Sequence, residues 1–137
     1  MADITVIDHT DDVLRELQVK RQAALEACGN QAVSHAKQNI TRASRVDTGA
    51  LRNSINHRVI DETCYVGTNQ EYAIYNEFGT GIYTDGGGGR KTPWVYQDAR
   101  GNFHKTVGMK PIHFLKDAVA NNIAEYKAII QRYLKDQ

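Results

Sequence analysis

From Thr10 to Arg42 the chain runs without a proline, and Leu14, Leu17, Leu25, Cys28, Ala32, Ala36 and Ile40 recur along it at steps of three, four or their multiples. That spacing predicts an amphipathic helix. Thr10, Asp11 and Asp12 supply capping oxygens and negative charge at its start, where unpaired N–H groups favour both. Unbroken, the helix would be roughly 50 Å long, whereas a compact chain of this length is only about 37 Å across. Either the helix breaks at Gly29-Asn30, its weakest point in helix propensity, or one end projects and needs another surface.

The other periodicities follow in order. Ile55, His57 and Val59, then Cys64 and Val66, alternate with polar residues around Asp61-Glu62, which predicts a β-hairpin over 54–68. Tyr72, Tyr75 and Phe78 share one face of a short helical turn that Gly79 ends. Residues 79–92 hold Gly79, Gly81 and Gly86-Gly87-Gly88-Gly89 and little to bury, which predicts a long mobile loop. A second hairpin over 93–107 turns at Asp98-Ala99-Arg100-Gly101-Asn102. After Pro111, Phe114, Leu115, Ala118, Val119, Ile123, Tyr126, Ile130, Tyr133 and Leu134 predict one C-terminal helix over 112–135. The expected architecture is a single α+β domain. Its long N-terminal helix and C-terminal helix cover one face of a small antiparallel sheet made of two hairpins, with a long Gly-rich loop.

Charge is segregated along the chain. Seventeen Lys and Arg oppose 16 Asp and Glu for a net charge of +1. Residues 1–16 are acidic, 17–58 basic, 59–85 acidic without a single Lys or Arg, and 86–116 basic again. The sum argues against a generic polycation that coats nucleic acid, while the pattern suggests surfaces made to meet. The N-terminus reads as no secretory signal, and no run of 18 apolar residues occurs, so a soluble protein without membrane contact is expected. Cys28 and Cys64 fit neither a disulfide framework nor a C-x-x-C pair and read as reduced, small apolar residues.

Catalytic and ligand chemistry finds little support. Gly86 to Thr92 resembles a phosphate loop only superficially, because Arg90 separates the glycines from Lys91 and Pro93-Trp94-Val95-Tyr96 reads as a strand where a helix would be required. The five histidines have no metal-ligand spacing, so no metal or cofactor is expected. Ser54, His57 and Asp47 lack a nucleophile elbow, which leaves a small hydrolase using His57 or His104 as a remote alternative. Tyr65, Tyr72, Tyr75 and Tyr83 fall in the block without bases, so they suit core margins or protein interfaces better than base stacking. A DNA-contacting module using the basic 86–116 region is a second alternative.

Three segments, in order, carry a resemblance. They are Val46-Asp47-Thr48-Gly49-Ala50-Leu51-Arg52-Asn53-Ser54-Ile55; Val66-Gly67-Thr68 with Tyr72-Ala73-Ile74-Tyr75-Asn76-Glu77-Phe78-Gly79-Thr80-Gly81; and Gly108-Met109-Lys110-Pro111-Ile112-His113-Phe114-Leu115-Lys116-Asp117-Ala118. Their order and spacing over about 46–118 resemble the minor tail-component, or tail-completion, proteins that join head to tail in long-tailed bacteriophages and prophages. Within these segments, Asp47 or Thr48 can cap a turn through Leu51, Gly49 permits close packing, and Arg52 is placed to meet a carboxylate, with Glu77 the expected partner. Pro111 ends the strand region, and Phe114 and Leu115 anchor the last helix. Tyr83, Arg90, Lys91 and Trp94, in the variable region between the second and third segments, are a candidate interface loop.

The resemblance implies a structural virion-assembly protein without catalysis. It implies a subunit made in the host cytoplasm that forms a ring, hexameric in the virion, at the neck or tail end. Its partners would be copies of itself, tail-tube and neck or head-closure proteins, with DNA at most passing through the lumen and no small-molecule substrate. In such a ring the acidic 59–85 stretch would lie near a basic stretch of the neighbour.

Overall fold

A computed structural model describes residues 4–43, 49–98 and 100–135. Helix α1, Thr10–Arg42, is one unbroken α-helix of 33 residues, so Gly29-Asn30 does not break it and the N-terminal end projects. Its first N–H groups are served differently from expectation: Asp8 Oδ1 accepts Thr10 N–H at 2.8 Å, and Thr10 Oγ1 also donates to Asp8. These two bonds, the hydroxyl first, hold the Asp8 carboxyl below its ordinary pKa.

The buried side of α1 is Ala24, Cys28, Ala32, Ala36 and Ile40, together with Gly29. A step of four residues turns about 40° past a full helical turn, so this row winds around α1 and offers small residues to different neighbours along its length. Leu14 and Leu17, expected in the buried stripe, are exposed along with every other described residue from 4 to 19. None of the other described residues covers them.

Helix α2, Ala50–Ser54, follows Gly49, whose φ of 84° suits glycine. Strands β1, Asn56–Ile60, and β2, Thr63–Gly67, pair antiparallel with His57 opposite Val66 and Val59 opposite Cys64. This hairpin packs on α1, and Gly29 makes the approach possible. A Cβ at Gly29 would lie 2.3 Å from His57 Cδ2 and 2.9 Å from Cys64 Sγ. The thiols of Cys28 and Cys64 are both pushed above their ordinary pKa, chiefly by burial.

Helix α3, Ala73–Phe78, leads into 3-10 turns at Gly81–Tyr83 and Asp85–Gly87. The expected long mobile loop is therefore structured and tied down in its first half. Thr80 N–H donates to Met109 O at 2.9 Å, Ile82 N–H to Val107 O at 3.0 Å, and Met109 N–H to Thr80 Oγ1 at 2.8 Å. Gly81 sits with φ +62° where a Cβ would lie 2.0 Å from Val107 O, so the crossing of these two backbones requires glycine. Strands β3, Trp94–Gln97, and β4, Phe103–Thr106, form a second antiparallel hairpin, a sheet separate from the first.

The C-terminal helix is two helices, α4, Phe114–Ala120, and α5, Ile123–Lys135. The single helix expected over 112–135 fails at Asn121-Asn122, where local hydrogen bonding competes with the helix. There Asn122 Nδ2 donates to Ala118 O at 3.0 Å, and the Tyr126 hydroxyl donates to the same carbonyl. Both helices pack on α1: Asn39 Nδ2 donates to Phe114 O at 3.2 Å, and His35 Nε2 meets Glu125 Oε2 at 2.8 Å. The core gathers Ala36, Ile40, Leu51, Ile55, Ala73, Phe114 and Ala118 around the C-terminal half of α1. The result is an α+β fold with α1 as the shared support.

Candidate functional site

Burial sorts α3 into two faces. Ala73, Asn76 and Glu77 point inward, whereas Tyr72, Ile74, Tyr75 and Phe78 are left about half exposed. The inward face is fixed by polar contacts. Asn76 O accepts Ile112 N–H at 2.9 Å, and the Glu77 carboxylate accepts the N–H groups of Leu115 at 2.7 Å and Lys116 at 3.1 Å. Glu77 thus caps α4 and is not the partner of Arg52, whose Nη1 donates to Thr41 Oγ1 at 3.3 Å beside the end of α1. The expected pairing fails because the orphan N–H groups of a helix start are a nearer and better match for a buried carboxylate.

The outward face of α3 forms one wall of a groove of about 570 Å³, closed by Thr80, Arg90 and Trp94. Arg90 lies over the Trp94 ring at 5.4 Å, with Nε bonded to Thr92 Oγ1 at 3.1 Å. Lys91 Nζ reaches Gly87 O at 3.1 Å, and Lys110 Nζ lies 5.7 Å above the Tyr83 ring. The structure therefore brings together Tyr75, Phe78, Gly79, Thr80, Arg90 and Trp94, which the sequence placed in two unconnected groups. Tyr83 and Lys91 flank them. The pinning of 80–82 against 107–109 unites the groups, and no local signal announces it.

The remaining sequence candidates serve the scaffold. Leu51, Ala73, Phe114 and Ala118 are core, and Leu115 packs against it. Ser54 Oγ bonds Leu51 O at 2.6 Å and Thr68 Oγ1, and a Cβ on Gly79 would meet Pro111 at 2.9 Å. Asp47 and Thr48, with the capping expected of them, lie outside the described residues. The residues that sequence reasoning passed over are Ile74 and Asn76 of α3, and Lys37 and Arg42, which join the expected candidate Arg52 in a cationic cleft along the last turns of α1.

The chemistry of a hydrolase is not assembled around the histidines. His57 Nε2 meets Glu26 Oε2 at 2.7 Å and His104 Nε2 meets Asp98 Oδ2 at 2.7 Å. Among the described residues no hydroxyl or thiol hydrogen-bonds to either ring, and no group of three or more His, Cys, Asp or Glu is placed to hold a metal ion. Among the described residues no helix is long and apolar enough to cross a membrane.

Aromatic side chains and Arg90 line this exposed groove, and the sequence itself matches a known family. Residues 5–79, more than half of the chain, match the family model described as "Bacteriophage HK97-gp10, putative tail-component". The chain belongs to the HK97-gp10-like family. It is a structural component of the phage tail, and its place is the virion. The match takes in α1, the first hairpin and α3 and stops at Gly79, so the α3 wall of the groove belongs to the matched part while Arg90 and Trp94 lie beyond it. The third segment of the resemblance, 108–118, also lies beyond it. No curated protein and no solved structure matches the chain.

Proposed function

We propose that this tail component is a ring-forming subunit that completes the tail or joins it to the head, acting by protein–protein contacts without catalysis. The observation that carries the reading is the bare first third of α1. Residues 4–19 are all exposed and include Ile4, Val6, Ile7, Val13, Leu14, Leu17 and Val19. Apolar exposure on this scale marks an interaction surface. A helix that outruns its own domain at one end, with an aromatic groove near the other, provides two different surfaces for head-to-tail association. Such heterologous contacts close into rings when the rotation permits.

In this reading the ring is hexameric in the virion and contacts tail-tube and neck or head-closure proteins, with DNA only passing through its lumen. The segregated charge gives successive subunits complementary faces. Light scattering and negative-stain imaging of the protein, alone and with its tail-tube partner, test it. Rings or a defined complex that loosen in high salt are expected, and the absence of both would overturn the reading.

A further inference from the structure

We infer that the N-terminal arm of one copy, Ile4–Ile7 with the acidic start of α1, docks into the Tyr75–Phe78–Trp94 groove of a second copy. The proposal deepens the ring reading by naming the two surfaces that meet. The arm combines Ile4, Val6 and Ile7, each more than 70% exposed, with Asp8, Asp11, Asp12 and Glu16. Asp12 pairs with Arg15 and Glu16 with Lys20, but Asp8 and Asp11 are in no ion pair among the described residues.

The groove is the arm's chemical complement. Its wall is Ile74, Tyr75, Phe78 and Trp94. The polar contacts of Arg90 and Lys91 are to neutral oxygens, those of Thr92, Pro93 and Gly87, and among the described residues neither cation is ion-paired. Two guanidinium or ammonium groups beside an aromatic slot suit an apolar strand that ends in carboxylates.

Geometry decides between the chain's own arm and a neighbour's. The groove adjoins α4, which meets α1 at Asn39, whereas the arm leaves α1 at Thr10. About 44 Å of helix separates the two points at 1.5 Å per residue. Residues 4–9, fully extended, span about 20 Å. The arm cannot reach its own groove, and a second copy can supply what the helix prevents.

Trp94 is the chain's only tryptophan, so it reports occupancy of the groove directly. An acceptor lacking residues 2–7 keeps Trp94 and the groove. A donor carrying Trp94→Phe, Arg90→Glu and Lys91→Glu keeps the arm and has no tryptophan. Mixing them is expected to shift Trp94 emission to the blue and to give a 1:1 complex by light scattering, while each alone stays monomeric. The shift should weaken in about 0.5 M salt and vanish when the donor also carries Ile4→Asp and Val6→Asp. Unchanged emission on mixing, or rings formed as readily by the acceptor alone, would overturn the inference and leave the ring reading standing. A 1:1 complex from the mixture without rings from the unaltered protein would do the reverse.

Discussion

The carboxylate of Glu77 rests on the first turn of α4, its Oε1 accepting the N–H of Leu115 at 2.7 Å and its Oε2 the N–H of Lys116 at 3.1 Å. Glu77 is 6% exposed, so neither donor can turn to water if the carboxylate is lost. Glu77→Ala should cost about 2–3 kcal/mol in chemical denaturation, the price of two buried donors left without acceptors. Glu77→Gln keeps one acceptor oxygen but turns an NH2 toward the other donor, so it should recover about half of that. Equal stability of all three proteins would refute the capping role.

Gly29 lies inside α1, where alanine would ordinarily add about 1 kcal/mol of helix stability. Here the new methyl would meet the His57 ring at 2.3 Å, and that ring is held by Glu26 at 2.7 Å. Overpacking should win, so Gly29→Ala is expected to lower stability by about 1–3 kcal/mol. A raised Tm for the variant would mean that the hairpin moves off α1 at little cost.

The contrast between these two sites tracks what the sequence makes legible. Helix α1 was legible because periodicity is local, and so was the buried row Cys28, Ala32, Ala36 and Ile40 in its second half. Hydropathy also favoured Leu14 and Leu17, which are exposed, and passed over Ala24 and Gly29, which are buried because small residues allow close approach. The break at Asn121-Asn122 was hidden because Val119 and Ile123 keep helical spacing across it. The Glu77 cap and the groove depend on contacts between residues far apart in the chain, which no local pattern encodes. Two members of the aromatic run, Tyr75 and Phe78, did mark one wall of the groove, but the run gave no sign that Trp94 joins them.

Alkaline pH offers a separate test at the junction of α1 and α5. Burial, with the nearby Glu125 carboxylate, pushes the Tyr126 hydroxyl from 10.0 up to about 12. A pKa raised by folding contributes stability that is complete below pH 10 and is lost as pH rises through about 12. The loss should be on the order of 1–2 kcal/mol once partial exposure is allowed for. Cys28 and Cys64 add loss of the same sign above pH 9. Tyr126→Phe, which also gives up the bond to Ala118 O, should flatten the decline between pH 10 and 12. Parallel stability curves for the two proteins would exclude the ionisation.

At acid pH the second hairpin should respond first at its turn. His104, then the N–H groups of Asn102 and Arg100, hold the Asp98 carboxyl below its ordinary 3.8. A depressed pKa gives order that is present above 3.8 and lost as pH falls through the folded-state value. Amide exchange at Arg100 and Asn102 should therefore accelerate beyond its intrinsic pH dependence only below that point. In Asp98→Ala the same amides should be unprotected at neutral pH, and full protection there would show that the turn holds without its carboxylate.

Tyr75 and Phe78 allow assembly to be separated from folding. Both are about half exposed on α3, while the inward residues Ala73, Asn76 and Glu77 hold the helix in place. Replacing Tyr75 and Phe78 together by Ser removes the aromatic wall but no core contact, so the monomer's stability should change by no more than about 0.5 kcal/mol per site. Association should fall by tenfold or more if the two rings are central to the interface, since buried aromatic anchors dominate such contacts. Sedimentation velocity beside thermal denaturation reads both quantities on one preparation. Unchanged association at unchanged stability would move the interface away from α3, whereas a large loss of stability would mean that the outward rings support the fold.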